Sequence, residues 1–126
     1  MWREYFPNAT IVGMDINPPI EVEGCTVVQG DQGNCWDLSR LCQDGLFDVI
    51  IDDGSHRHQH QITSFYTLFP SGMNPGGLYI IEDLHIRPDP WKTLLYFLHQ
   101  FGKDLHKGTA DIRMDPLGRL LFITRE

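Results

Sequence analysis

The order of elements predicts an α/β fold around a mostly parallel sheet, and three observations carry that prediction. Residues 46–53 and 78–83 have continuously apolar centres, as strands covered on both faces do. Apolar residues elsewhere recur at helical spacing. Strand and helix patterns alternate along the chain, which is the layout of a parallel sheet with crossover helices.

Taken in order, residues 10–16 form a short β-branched run that closes on Asp15, and Asn17, Pro18 and Pro19 stop it. Residues 26–29 read as a second strand, followed by the turn-rich stretch 30–34. Trp36, Leu38 and Leu41 among polar residues predict a short helix over 36–44, with Gly45 as its C-cap. Residues 46–53 are the clearest strand. Gly54 then lets the chain turn sharply, and Ser55 can cap the next helix, putting His56 in its first turn. Ile62, Phe65, Tyr66 and Phe69 make that helix's apolar stripe. Pro70 is expected to end it, and residues 74–77 turn the chain into the strand 78–83. Asp89 and Pro90 read as the start of a third helix, with Trp91, Leu94, Leu95, Leu98 and Phe101 as its stripe and Gly102 behind it. Residues 109–114 and 119–124 flank Asp115-Pro116-Leu117-Gly118, whose Pro and Gly suit a type I turn, so an antiparallel hairpin is expected. No repeat or linker interrupts the chain, and residues 1–126 read as a single domain.

Composition narrows the function. Of the 126 residues 41% are apolar and 21% charged, which argues against wholesale disorder. Ten Lys and Arg against seventeen Asp and Glu give a net charge of −7, so no nucleic-acid partner and no anionic membrane surface is expected. No apolar run approaches the ~20 residues that span a bilayer. The first residues lack an apolar signal-peptide core. Cys25, Cys35 and Cys42 have no Cys-x-x-Cys spacing and read as reduced thiols of a cytoplasmic protein.

Three predicted strands end in acids: Asp15, then Asp52 and Asp53, then Glu82 and Asp83. In open α/β sheets ligands bind outside the carboxyl ends of the strands. Like charges gathered there repel unless a counter-charge sits between them, and a hard divalent cation is the simplest one. The plainer reading is that these acids are caps and turn formers. His56 follows directly and suits a general base near neutral pH. His56 and His60 also have the i, i+4 spacing of a metal pair, whereas His58 and His60 otherwise read as solvated. His85 lies two residues past Asp83. Asp15 is placed to bond a ribose, and Asp31 and Gln32 could reach an adenine edge. Asp52 joins this cofactor-side set.

The block Phe47-Asp48-Val49-Ile50-Ile51-Asp52-Asp53-Gly54-Ser55-His56, with Asn74-Pro75-Gly76-Gly77-Leu78-Tyr79-Ile80-Ile81-Glu82-Asp83 downstream, resembles class I S-adenosylmethionine-dependent methyltransferases. Within them it is most similar to the Mg-dependent sugar O-methyltransferases of the macrocin and mycinamicin type and to the cephalosporin-hydroxylase-like family. The resemblance runs from about Asn8 to Asp83. It implies a Rossmann-like sheet, S-adenosylmethionine and Mg²⁺ as cofactors, and a hydroxylated sugar or natural product as acceptor. It implies Asp53, Glu82 and Asp83 as metal ligands, His56 as the base, Asp15 on the ribose, and Asp31 and Gln32 near the adenine. The family's first, Gly-rich strand has no counterpart here, so the chain reads as N-terminally truncated and a gap is expected at the centre of the sheet. An exposed gap invites pairing with another chain and points to a homo-oligomer. The alternatives are a non-catalytic methyltransferase-like remnant or partner-binding domain, a dinucleotide-dependent oxidoreductase, and a carboxylate-metal hydrolase.

Overall fold

A computed structural model describes residues 2–17, 21–43, 45–84, 99 and 110–126. The expected third helix, with its start at Asp89 and Pro90, lies outside the described residues, as do His85, His106 and Asp44. A helical turn, α1 (Trp2–Tyr5), precedes β1 (Ile11–Asp15), β2 (Cys25–Gln29), α2 (Cys35–Leu41), β3 (Phe47–Asp52), α3 (His58–Gly72), β4 (Met73–Ile81), β5 (Ala110–Met114) and β6 (Leu121–Arg125).

The strands form two sheets among the described residues. β1 and β2 pair in parallel, and a four-stranded sheet has the order β3-β4-β6-β5. β3 and β4 are parallel, whereas β6 is antiparallel to both β4 and β5. The expected mixture of parallel sheet and terminal antiparallel hairpin is therefore present. Gly118 N–H closes the hairpin turn onto the Asp115 carbonyl at 3.0 Å, and Gly118 takes the positive φ of 68° that continues it.

The expected gap is there too. An open cavity of about 330 Å³ lies between β1 and β3, lined by Val12 and Met14 on one side and Val49, Ile51 and Asp52 on the other. Leu38, Leu41 and Leu68 from the two helices also line it. This corrects the expectation that residues 46–53 are covered on both faces. Val49 is 49% exposed because β3 carries a ladder partner, β4, on one edge only among the described strands.

The core sits where α3 crosses the four-stranded sheet. Phe65, Leu68 and Phe69 pack with Met73, Tyr79, Ile81, Leu121 and Ile123, and Leu38 of α2 joins them. Phe65 stacks on Phe69 and meets Tyr79 edge-on, with ring centroids 4.5 and 5.1 Å away. Tyr66, expected in the stripe, is 40% exposed and falls on its solvent side.

Four local expectations need correction. Residues 74–77, expected as a turn ahead of a strand over 78–83, lie inside β4, which spans Met73–Ile81 and breaks register with β3 between Phe47 and Val49. Helix α2 ends at Leu41 without a glycine cap. Cys42 N–H and Gln43 N–H reach the Ser39 and Arg40 carbonyls, each at 3.2 Å, so the last turn tightens and no left-handed residue is needed there. Pro70 does not end α3, which runs on to Gly72. Its missing N–H costs one bond in the final turn, on an exposed flank. Ser55 is not the cap of α3 and His56 is not in its first turn, because the helix starts at His58 with Arg57 ahead of it.

Candidate metal and cofactor site

β1, β2, β3 and β4 deliver their carboxyl ends to one region. Gly30 N–H bonds the Asp15 carbonyl at 2.9 Å, and Glu82 N–H bonds the Asp52 carbonyl at 3.0 Å. Gln32, just past β2, donates from Nε2 to Asp52 Oδ1 at 2.5 Å. The two sheets therefore run the same way and meet at this end.

The carboxylates divide into an exposed and a buried set. Asp53 is exposed and Asp83 half-buried at the mouth, and their side-chain oxygens gather with His56. Ligand atoms of the three lie within 4.8 Å of one another. His56 Nε2 stands 4.0 Å from Asp53 Oδ1 and 4.0 Å from Asp83 Oδ2. Both His56 and Asp83 adopt left-handed backbone, with φ of 53° and 55°. Non-glycine residues rarely sit there, and such conformations persist where surrounding structure over-determines them. Glu82 is not in this trio. It is within electrostatic reach, however, because burial first, then the charges of Asp53 and Asp83, push its carboxyl above the usual range while His56 pulls it down.

Asp52 belongs to the buried set. It is 6% exposed. Its Oδ2 accepts from Ser64 Oγ at 2.6 Å and from the Tyr79 hydroxyl at 3.4 Å, and Oδ1 takes Gln32. Tyr79 also donates to Ser64 at 3.1 Å. Burial raises the Asp52 carboxyl despite these bonds and one from the Gly54 backbone, and burial with the adjacent Asp52 charge raises Tyr79 well above its usual value.

The remaining expected residues line the same end. Asp15 is exposed, and its Oδ1 accepts from the Asn17 N–H at 2.8 Å. Asp31 is half-buried, accepts from Gly33 N–H at 2.7 Å and donates its own N–H to Asp37 at 3.0 Å. Gly54 sits at the bend expected of it and has a second role. A Cβ there would lie 2.5 Å from Gln32 Oε1, so the position is kept small by a side chain lying on it. His60 is half-buried rather than solvated. Its Nδ1 is 3.0 Å from Ser55 Oγ, and its ring covers Gly33. Asp53 and Asp83, with Glu82 nearby, offer the carboxylate oxygens that a hard divalent cation takes, and His56 Nε2 stands 4.0 Å from both, close enough to act beside such a cation.

No family model matches the chain. Curated relatives do. Mycinamicin VI 2''-O-methyltransferase of Micromonospora griseorubida is 45% identical over 87 residues, 67% of this chain and 22% of that protein. Demethylmacrocin O-methyltransferase of Streptomyces fradiae is 40% identical over 115 residues, 89% of this chain and 27% of that protein. The solved MycE methyltransferase from mycinamycin biosynthesis, in complex with Mg and SAH, superposes with a TM-score of 0.79 at 29% identity, over 98% of this chain and 38% of that one. The chain is a homologue of the sugar O-methyltransferases. It spans about a quarter of the length of the two curated relatives named. The fold is a methyltransferase fold, and Podospora anserina methyltransferase PaMTH1 shares it at 15% identity and a TM-score of 0.67. For this homologue, the residues that sequence reasoning missed are Ser64, Tyr79 and His60. The signal for Ser64 was present: with Gln61, Phe65 and Leu68 it makes a second reading of the α3 stripe, in which polar residues occupy buried positions.

Proposed function

We propose that the chain carries the metal-and-base portion of an S-adenosylmethionine-dependent, Mg²⁺-assisted O-methyltransferase acting on a sugar hydroxyl of a small natural product. The observation that carries this reading is the meeting of Asp53, His56 and Asp83 at the carboxyl end of the sheet. The MycE structures with Mg and SAH, one of them also with mycinamycin VI, support the choice of cofactors and acceptor class. Asp53 and Asp83 would hold the cation, with Glu82 beside them. Asp15 and Asp31 would face the nucleoside.

A cation held there supplies Lewis acidity that eases deprotonation of a bound hydroxyl. The rest falls to the chain's own residues. His56 Nε2 accepts the hydroxyl proton, and the carboxylates 4.0 Å away stabilise the imidazolium that results. The acceptor oxygen loses that proton and gains the methyl group, and the donor leaves as a neutral thioether. Alignment of oxygen and methyl supplies most of the rate. No helix among the described residues is long and apolar enough to cross a membrane, and we read the site of action as cytoplasmic.

Calorimetric titration with S-adenosylhomocysteine, with and without Mg²⁺, tests the reading. Micromolar binding is expected. A folded chain that binds neither ligand would overturn it in favour of a second reading, a non-catalytic methyltransferase-like domain. The open cavity between β1 and β3 is the observation that favours this second reading. The unpaired edges there also suit association of two copies, which sedimentation would detect.

A further inference from the structure

The Gln32 side chain bridges two loops that would otherwise be independent. Its Nε2 donates to Asp52 Oδ1 at 2.5 Å and to Ser64 Oγ at 3.3 Å. Its Oε1 accepts from the Ser55 N–H at 2.9 Å. Every polar atom of the amide is therefore engaged inside the protein. The loop after β2, which carries Asp31, is held to the loop after β3, which carries Asp53 and His56. Gly54 is the seat on which the amide rests, since a Cβ there would meet Oε1 at 2.5 Å. Asp52 anchors the arrangement from below through Ser64 and Tyr79. His60 adds a second tie, with its ring against Gly33 and its Nδ1 at Ser55.

We propose that Gln32 is a positioning residue rather than a cofactor contact: it clasps the nucleoside-side loop to the metal-bearing loop, so that ligand binding at one loop strengthens binding at the other. The inference rests on the methyltransferase reading for the identity of the two ligands. The physical argument is linkage. A ligand that orders residues 30–33 fixes Gln32, and Gln32 fixes the Ser55 backbone between Asp53 and His56. Ordering already done by one ligand need not be done again by the other. The coupling must be reciprocal: Mg²⁺ tightens the nucleoside ligand by the same factor as that ligand tightens Mg²⁺.

The test uses the wild-type chain, Gln32→Ala, Gly54→Ala and the double variant, with S-adenosylhomocysteine and Mg²⁺ as probes. In the wild type, saturating Mg²⁺ is expected to tighten S-adenosylhomocysteine by roughly fivefold or more. Gln32→Ala is expected to bring that ratio close to one while leaving the Mg²⁺-free affinity within about twofold. An equal loss with and without Mg²⁺ would overturn the proposal, because it would make Gln32 a direct contact. An unchanged ratio would overturn it as well. Thermal melts without ligand decide the clasp separately. Gly54→Ala should destabilise the wild type and cost little once Gln32 is Ala, so the two effects are non-additive. Additive losses would sink the clasp. A wild type that binds neither probe defeats the methyltransferase reading and the coupling with it, and the melts alone then uphold or overturn the clasp.

Discussion

Asp52 and Asp53 are neighbours of one residue type, yet they sit in opposite environments. Asp52 is the last residue of β3, 6% exposed, with both oxygens bonded to Gln32, Ser64 and Tyr79. Asp53 is the next residue and faces solvent beside His56 and Asp83. Successive side chains of an extended backbone point to opposite sides, so one carboxylate turns toward α3 and the core and the other toward the mouth. The difference teaches that an acid pair at a strand end can divide its labour. The buried member holds the loops, and the exposed member is the one we propose for the metal.

That division can be broken from either side. The largest effect is expected from the group that moves the proton: His56→Ala should lower methyl transfer by about 10²–10⁴-fold with little change in S-adenosylhomocysteine affinity, read from turnover and calorimetry of the same preparation. Asp53→Ala and Asp83→Ala come next. Each should weaken Mg²⁺ binding by at least about 10–100-fold. Asp53→Ala should shift unfolding free energy by no more than about 0.5 kcal/mol, as exposed substitutions rarely do more, whereas Asp83→Ala should cost about 1 kcal/mol because Ala fits the left-handed backbone there less well than Asp. Asp52→Ala should show the converse pattern. It removes the buried acceptor shared by Ser64, Tyr79 and Gln32, leaving the Tyr79 hydroxyl and Gln32 Nε2 only their bonds to Ser64, and denaturant unfolding should record a loss of about 1–3 kcal/mol.

A smaller effect sharpens the comparison through pH. Burial raises the Asp52 carboxyl above its unfolded value, so the folded chain takes up a proton more readily than the unfolded chain does. The stability this contributes is present below the unfolded value of about 4 and is lost as pH rises through the raised folded value. Wild type should therefore lose stability relative to Asp52→Asn as pH climbs through that range without metal. Melts of both proteins against pH check the slope, and the opposite slope would place the Asp52 carboxyl below its unfolded value.

Much of the fold was legible because its signals are local. The strands β1, β2, β3 and β4, the α3 stripe and the hairpin turn at Asp115 to Gly118 follow from apolar runs and turn residues. The cleft between β1 and β3 followed from the family's first, Gly-rich strand having no counterpart in the sequence. The site was legible as a cluster, because acids at three strand ends converge in any parallel sheet. What the sequence withheld is the sorting within that cluster. Which of Asp52 and Asp53 is buried depends on where β3 ends to within one residue, and strand bounds are the least certain feature of a sequence. The bonds of Gln32 to Asp52, Ser55 and Ser64 could not be read from the sequence, because those partners come to meet it from 20 or more residues away. Pro70 looked like a helix end because its cost was judged without its position in the final turn.

The most direct test of the division of labour is the shift in melting temperature that Mg²⁺ produces in three proteins: wild type, Asp52→Ala and Asp53→Ala. A ligand that binds only the folded state raises that temperature, by an amount that grows with the logarithm of one plus the ratio of free ligand concentration to Kd. Wild type and Asp52→Ala, the latter starting lower, should both gain with added Mg²⁺, and Asp53→Ala should start near wild type and gain far less at the same Mg²⁺ concentration. An Asp53→Ala protein that responds to Mg²⁺ like the wild type would contradict the assignment of the exposed carboxylate to the metal.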